Sequence, residues 1–150
     1  MRKQRAEVVP HVMPSVRKDR GFFIGGEKVG IGEEAVRFHQ MGCNCAQSVL
    51  AACGKYTGLE QNTALNVTAG FGGGVRSGEI CGAISGAVMA IGLIEPDKRK
   101  VAALTKECVD SFRQKFGCVR CIELKQNRVS CDALIEYGAK YIEELVKQKD

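Results

Sequence analysis

The sequence lacks features that several classes of protein require. Its most apolar long uncharged run, from Ile80 to Ile94, is too short to span a bilayer comfortably and is rich in glycine and alanine. We therefore expect a buried core helix there and no membrane span. No apolar segment of the kind found in signal peptides follows the basic N-terminus, so the cytoplasm is the expected compartment. No Ser-His-Asp set, Cys-His set or carboxylate pair stands out, so hydrolase chemistry has no support.

Net positive charge is scarce outside the N-terminal arm. The net charge is +5, and residues 1–20 hold six Lys and Arg residues against Glu7 and Asp19, so the other 130 residues are nearly neutral. A nucleic-acid-binding domain needs a basic folded surface, so we expect no nucleic-acid partner. Residues 1–31, which are basic and interrupted by glycines, are predicted to be a tail or linker, and residues 32–150 to form one helical domain.

Apolar residues in this domain recur with a helical period, and no segment alternates with a period of two. Helices are predicted at Glu33–Met41, from Cys45 to about Tyr56, through Ala64, from about Glu79 to Leu93, from Asp97 to about Gly117, and from Cys131 onward. The predicted N-caps are Asn44, Asn62 or Thr63, Asp97 and Ser130. The sequence therefore predicts an all-α fold, a compact bundle of four to six helices with a Gly-rich loop before the central helix.

Eight cysteines are many for a chain of 150 residues. In the cytoplasm, clustered cysteines more often bind metal or carry out redox chemistry than form structural disulfides. Cys45, Cys81 and Cys131 fall in the predicted first turn of a helix, where free N–H groups and the helix dipole favour a thiolate. We therefore expect lowered pKa values at these three cysteines. Cys121 precedes a short predicted helical turn, and converging helix ends would make a site for an anionic cluster or reactive thiols.

The spacing of the cysteines requires the fold to assemble any shared site. Cys118 and Cys121 form a C-x-x-C pair and Cys43 and Cys45 form a C-x-C pair, but the other cysteines are dispersed. Cys43 and Cys118 are auxiliary candidates, because each is close in sequence to a favoured cysteine and is either a packed side chain or a resolving thiol. Two cysteines lie on predicted inner faces and are expected to pack in the core: Cys53 and Cys108.

Five separated motifs occur in one order: Asn44–Leu50, Gly70–Gly74, Cys81–Ala87, Cys121–Leu124 and Cys131. Together they resemble the C_GCAxxG_C_C family of redox-active proteins over roughly residues 35–146. The resemblance implies a functional set of Cys45, Cys81, Cys121 and Cys131. The family is similar in turn to the non-haem part of split-Soret cytochromes, which carries an iron–sulfur centre, and this analogy implies a cluster here. The chain departs from the pattern in its four additional cysteines and its basic N-terminal arm.

Three hypotheses follow for the function. The first is electron transfer or redox sensing through an iron–sulfur centre held by the four cysteines. The alternatives are a metal-free thiol–disulfide redox protein and a non-redox zinc-binding helical module. A redox carrier or thiol redox protein without a defined substrate is favoured over an enzyme, its expected partner is a redox protein, and a homodimer that shares the site is a further alternative.

Five small residues are predicted to surround the site: Gly72, Gly73, Gly74, Gly82 and Ser85. The three loop glycines either terminate a helix or bring bare N–H groups to the cysteine sulfurs. Phosphate binding is the least supported alternative, because no Gly-Lys-Ser/Thr follows the loop. Gly82 belongs to a stripe of small residues that lets another backbone come close. Ser85, one turn beyond Cys81, is predicted to hydrogen-bond its sulfur, and His39 is expected at the surface.

Overall fold

The computed structural model describes residues 23–24 and 27–149, so most of the predicted tail lies outside the described residues. A two-residue antiparallel ribbon, β1 (Phe23–Ile24) and β2 (Glu27–Lys28), precedes the helices. The described residues form eight α-helices: α1 Ile31–Gln40, α2 Cys45–Ala52, α3 Gly54–Thr57, α4 Gln61–Val67, α5 Gly82–Ile94, α6 Lys98–Phe116, α7 Cys121–Gln126 and α8 Cys131–Lys149. The predicted all-α fold is confirmed. In the part of the chain that the structure describes, no helix is long and apolar enough to cross a membrane.

Five of these helices, α1, α2, α5, α6 and α8, pack as a bundle around one aliphatic core. Helix α2 contacts α1, α5 and α8, and α5 also contacts α6 and α8. Phe112 of α6 is fully buried and meets the ring of Tyr137 of α8 edge-on, with 4.8 Å between centroids. Burial of each such apolar side chain contributes about 1.5–3 kcal/mol. The core therefore holds α5 firmly between α2 and α6.

Small residues in α5 bring its backbone against α2. A Cβ atom on Gly86 would lie 2.8 Å from the carbonyl oxygen of Ala46, and one on Gly82 would lie 3.1 Å from the Ala46 nitrogen and from Cys45 Cβ. Real side chains at these positions would force the two helices apart. Because Gly82 and Cys45 both stand at helix starts, the N-termini of α2 and α5 lie side by side.

Caps confirm several predicted boundaries and correct one. The Asp97 carboxylate accepts a 2.8 Å hydrogen bond from the Arg99 N–H, and Gly117, with φ +85°, ends α6. Ser130 Oγ accepts from the Ala133 N–H at 3.0 Å. The cap of α4 is the Glu60 carboxylate, not Asn62 or Thr63, because it accepts from the N–H groups of these two residues, which lie inside the first turn.

Two further helix boundaries differ from the predictions. The helix predicted from Cys45 to Tyr56 breaks at Cys53, where α2 gives way to the short helix α3. Helix α5 begins at Gly82, so Cys81 is its N-cap residue and stands in extended backbone before the first turn. This shift matters for the site, because an N-cap side chain faces the free N–H groups of the turn that follows it.

Cys53 and Cys108 lie in the core as predicted. Both side chains are fully buried among the apolar residues of the bundle. Burial raises the pKa of Cys108 to about 12 and also raises the pKa of Cys53. These thiols are therefore held protonated and behave as small apolar side chains.

Candidate four-cysteine site

Four cysteine side chains line one cavity at the end of the bundle where α2, α5, α7 and α8 begin. Cys45, Cys121 and Cys131 are the first residues of α2, α7 and α8, and Cys81 immediately precedes α5. Residues that are 10 to 86 positions apart in the sequence are thereby brought to one place. The structure thus gathers the four cysteines that the sequence analysis selected, and it does so at converging helix N-termini.

The cavity is small and mostly apolar. It encloses about 290 Å³ of empty space, counted to its mouth at the surface, and its closed part has room for about one water molecule. Cys81 is buried, and the other three cysteines are half-buried. The remaining wall residues are Gly73, Gly82, Leu124, Lys125, Val129 and Leu134. The thiols therefore face one another in a shared space that is shielded by aliphatic side chains.

A short backbone clamp fixes Cys81 beside Cys121. The Cys81 N–H donates to the Val119 carbonyl at 2.9 Å, and the Cys121 N–H donates to the Glu79 carbonyl at 2.6 Å. These bonds flank a single antiparallel bridge between Ile80 and Arg120. Because side chains alternate along extended backbone, the two cysteines point to the face opposite the bridging pair, which is the cavity face.

The exposed face of the clamp carries a charge cluster. The Arg120 guanidinium donates to both carboxylate oxygens of Glu79, at 3.1 and 3.2 Å, and to the Glu123 carboxylate at 3.3 Å. All three side chains are substantially exposed, so each pair contributes at most about 1 kcal/mol. The backbone bonds of the clamp are therefore its main support.

Asn44 links the start of α2 to the Gly-rich loop. Its Oδ1 accepts from the Gln47 N–H at 2.9 Å, and Gln47 Oε1 accepts from the Asn44 N–H at 2.9 Å, which completes a capping box. Its Nδ2 donates to the carbonyls of Thr68 and Ala69 at 3.2 and 3.1 Å. The predicted cap of α2 is confirmed, and one side chain positions both Cys45 and the segment that leads to Gly73.

The predicted loop glycines have different places. Gly73 lines the cavity. Gly72 is buried against Asn44, whose Cβ would lie 2.7 Å from a Cβ on Gly72, and Gly74 is buried against the Glu79 backbone, 2.5 Å from such an atom. The latter two glycines therefore allow close packing beside the site, and Gly73 alone of the three reaches the cavity wall.

Residues Gly73 to Arg76 form a turn with left-handed backbone. Their φ values are +63°, +64°, +58° and +57°. Glycine adopts this conformation freely, but Val75 and Arg76 lose about 1–2 kcal/mol each by doing so. Both side chains are exposed, and the Glu79 N–H donates to the Gly74 carbonyl at 3.1 Å to close the turn. The strain lies directly beside the cavity.

The start of α8, which carries Cys131, is tied to α1. His39 Nδ1 lies 2.6 Å from the Asp132 carboxylate, although the two residues are 93 positions apart. His39 is half-buried at the protein surface, with 32% of its side chain exposed. The histidine predicted at the surface therefore pairs with the residue that follows Cys131.

The expectation of lowered thiol pKa values is wrong for Cys45 and Cys81. Burial raises the pKa of Cys45 above its ordinary range, and the nearby Cys131 and Cys81 thiols raise it further. Burial also raises the pKa of Cys81 to about 11, although the N–H groups of Ala83 and Ile84 donate to its sulfur and oppose the shift. The helix N-terminus acts in the predicted direction, but desolvation and mutual repulsion outweigh it.

The auxiliary candidates do not line the cavity. Cys43 is buried, and burial raises its pKa. Cys118 is half-buried and accepts a 3.7 Å hydrogen bond from Asn127 Nδ2. Both Cys118 and Cys121 are free thiols, and Cys121 lines the cavity whereas Cys118 does not. The C-x-x-C spacing therefore does not mark a preformed pair.

One predicted contact is absent, and four wall residues were not predicted: Leu124, Lys125, Val129 and Leu134. In the described part of the chain, the Ser85 hydroxyl makes no hydrogen bond to the Cys81 sulfur, and the two residues are joined by the Ser85 N–H donating to the Cys81 carbonyl at 3.1 Å. Lys125 lines the cavity but was not selected from the sequence. Its position four residues after Cys121 on one helical face was the available signal.

The cysteine motifs that build this cavity match a known protein family. A family model described as "Putative redox-active protein (C_GCAxxG_C_C)" matches residues 43–145. The chain belongs to this family. The match includes all four cavity cysteines, so the C_GCAxxG_C_C description applies to the segment that builds the site. Searches of the curated proteins and of the solved structures give no significant match.

Proposed function

We propose that this protein transfers or senses electrons through an iron–sulfur centre held by Cys45, Cys81, Cys121 and Cys131. The observation that carries the proposal is the meeting of these four side chains around one cavity. Four thiolates are the usual ligand set of such clusters. Membership of a family of redox-active proteins supports the same chemistry.

Four cysteine side chains suit either an iron–sulfur cluster or a single zinc ion. Within the described ranges, no three His, Cys, Asp or Glu side chains are arranged to hold a metal ion as they stand, so the thiols would have to move when either is bound. The description of the family as redox-active favours the cluster, because zinc has no redox chemistry. When bound, the cluster would supply one-electron transfer.

The surroundings of the thiols suit an anionic centre. The N–H groups of Ala83 and Ile84 donate to the Cys81 sulfur, and such bonds tune the reduction potential of clusters. Aliphatic walls limit the access of water to the sulfurs. The raised thiol pKa values do not conflict with this role, because a bound cation deprotonates coordinating thiols.

Anaerobic purification followed by iron and labile-sulfide analysis and a visible spectrum tests the proposal. We expect stoichiometric iron and sulfide with visible absorbance, and at least a tenfold loss of both in Cys121→Ala and Cys131→Ala. Cys53→Ala and Cys108→Ala are matched controls, since they remove a core thiol and should keep the iron. Protein without iron, or equal iron in all four variants, would contradict the proposal.

A metal-free thiol–disulfide couple is the second candidate, because Cys45 and Cys131 interact directly through their thiols. Their oxidation would form one S–S bond and release two protons and two electrons to an oxidised disulfide of a partner protein, which becomes a dithiol. This candidate predicts colourless protein that loses two accessible thiols on mild oxidation. Cys45→Ala should prevent the loss, whereas Cys43→Ala and Cys118→Ala should not.

A further inference from the structure

Among the described residues that line the four-cysteine cavity, Lys125 alone carries a charge. The rest of the wall is made of thiols, glycines and aliphatic side chains. Lys125 is an exposed residue, so its charge acts from the mouth of the cavity, between solvent and the apolar wall. This side chain can therefore bias the cavity toward one kind of occupant.

Helical geometry directs Lys125 toward Cys121. Both residues lie in α7, four positions apart, so their side chains share one face. Long helical side chains also lean back over the preceding turn, which here is the turn that begins with Cys121. The lysine side chain therefore reaches the cavity from the same helix that supplies one of the thiols.

Lys125 is not neutralised by a neighbouring acid. In the part of the chain that the structure describes, no carboxylate forms an ion pair with it. The three acids closest in sequence to the site cysteines are engaged by other side chains, Glu79 and Glu123 by Arg120 and Asp132 by His39. Among the described residues, no ion pair therefore cancels the charge of the lysine at the cavity.

We propose that Lys125 makes the cavity selective for anionic contents and, resting on the proposed function, raises the reduction potential of the centre held there. Reduction adds negative charge to an iron–sulfur cluster. A nearby cation stabilises this more negative, reduced form. Removal of the lysine charge therefore lowers the reduction potential of the cluster.

The redox part of the proposal is tested by measuring the reduction potential of three variants: Lys125→Met, Lys125→Arg and Lys98→Met. We expect Lys125→Met to shift the reduction equilibrium three- to tenfold toward the oxidised form; tenfold corresponds to about 59 mV for one electron. Lys125→Arg should restore the wild-type potential. Lys98 is the matched control, because it lies beyond the far end of α5, about 20 Å from Cys81.

Salt gives an independent check on the cause of this shift. Lys125 is an exposed residue, so added salt should screen its charge. The difference between wild type and Lys125→Met should shrink as the ionic strength rises. A shift that does not depend on salt would show a structural effect of the substitution and would overturn the proposal.

Alkylation of Cys121 in the reduced, metal-free protein tests the electrostatic part without any redox couple. The ratio of its reaction rates with anionic iodoacetate and neutral iodoacetamide is independent of the thiolate fraction. We expect this ratio to fall at least threefold in Lys125→Met and to stay unchanged in Lys125→Arg and Lys98→Met. Peptide mass spectrometry measures both products on the same cysteine.

The two experiments separate the two proposals. An unchanged alkylation ratio in Lys125→Met overturns the role of Lys125, even where a working redox centre is found. A lowered ratio in a protein without a cluster or reversible disulfide supports the charge effect and overturns the proposed redox function. A lowered ratio together with an unchanged potential overturns the claim that Lys125 sets the potential.

Discussion

Cysteine side chains have different surroundings in the core and at the cavity end of this bundle. Cys53 and Cys108 are fully buried among aliphatic residues on regular helices. Cys45, Cys121 and Cys131 are half-buried at helix starts, next to a backbone bridge and a left-handed turn. Side-chain packing therefore stabilises one region, whereas backbone geometry positions the thiols of the other. The comparison predicts that substitutions in the two regions differ in what they change.

The largest expected effect is on the pH dependence of stability and comes from the core. Burial raises the pKa of Cys108 to about 12. Above about pH 9 the unfolded chain loses this proton and the folded protein keeps it, so stability falls as pH rises toward 12. The loss is about 1.4 kcal/mol for each pH unit. Urea unfolding between pH 8 and about pH 11 gives the slope of the free energy of unfolding against pH. In Cys108→Ala this slope should be smaller by the equivalent of one proton.

Thr105→Ala, one turn earlier on α6, is the control for this measurement. It truncates a side chain of similar size that does not titrate, so the wild-type slope should be kept. An identical slope in wild type and Cys108→Ala would mean that this thiol ionises in the folded protein as it does in the unfolded chain. Burial in the core would then not hold Cys108 protonated.

The next largest effect is on the free energy of unfolding and comes from the contact between α5 and α2. Gly86→Ala would place a methyl group 2.8 Å from the Ala46 carbonyl oxygen, and we expect a loss of about 2–3 kcal/mol in the free energy of unfolding. Gly92→Ala lies on the same helix with no atom within 4 Å, so it should gain about 0.5–1 kcal/mol from helix propensity. Denaturant unfolding measures both, and equal effects would exclude a backbone contact between α2 and α5.

Local chemistry accounts for what the sequence predicted correctly. The period of apolar residues in α6, the Asp97 cap and the left-handed Gly117 are all encoded within a few residues, so they can be recognised without a structure. Helix starts at Cys45 and Cys131 follow from the same rules. Cys45, Cys81 and Cys131 could be selected because each stands near such a start, whereas Cys121 was added by the family resemblance.

Tertiary contacts explain what the sequence did not predict. The bridge between Ile80 and Arg120 joins residues 40 positions apart, and nothing local marks either residue as strand. Val75 is β-branched and disfavours its φ of +58°, so the surrounding structure holds it in this conformation. The sign of the pKa shifts at Cys45 and Cys81 depends on burial depth, which is set by the packing of several helices.

The cap that supports the cavity end should show a smaller effect than the core contact. Asn44→Ala removes a capping box and two bonds to the carbonyls of Thr68 and Ala69, and we expect a loss of about 2 kcal/mol. Alkylation of Cys45 should also become faster, because the start of α2 frays. Asn62→Ala in the exposed part of α4 should change stability by less than about 0.5 kcal/mol. Equal effects at the two asparagines would contradict a supporting role for Asn44.

The smallest expected effect is a change in the free energy of unfolding whose sign reports on backbone strain. Val75 and Val67 are each 50% exposed, but Val75 has left-handed backbone and Val67 ends the regular helix α4. Val75→Gly should therefore gain about 1 kcal/mol by relieving strain, whereas Val67→Gly should lose about 0.5 kcal/mol. A loss in both variants would show that the turn is not strained. A gain at Val75 combined with a changed rate of Cys121 alkylation would show that the strain helps to hold the cavity wall, because a relaxed turn then leaves the thiols less well positioned.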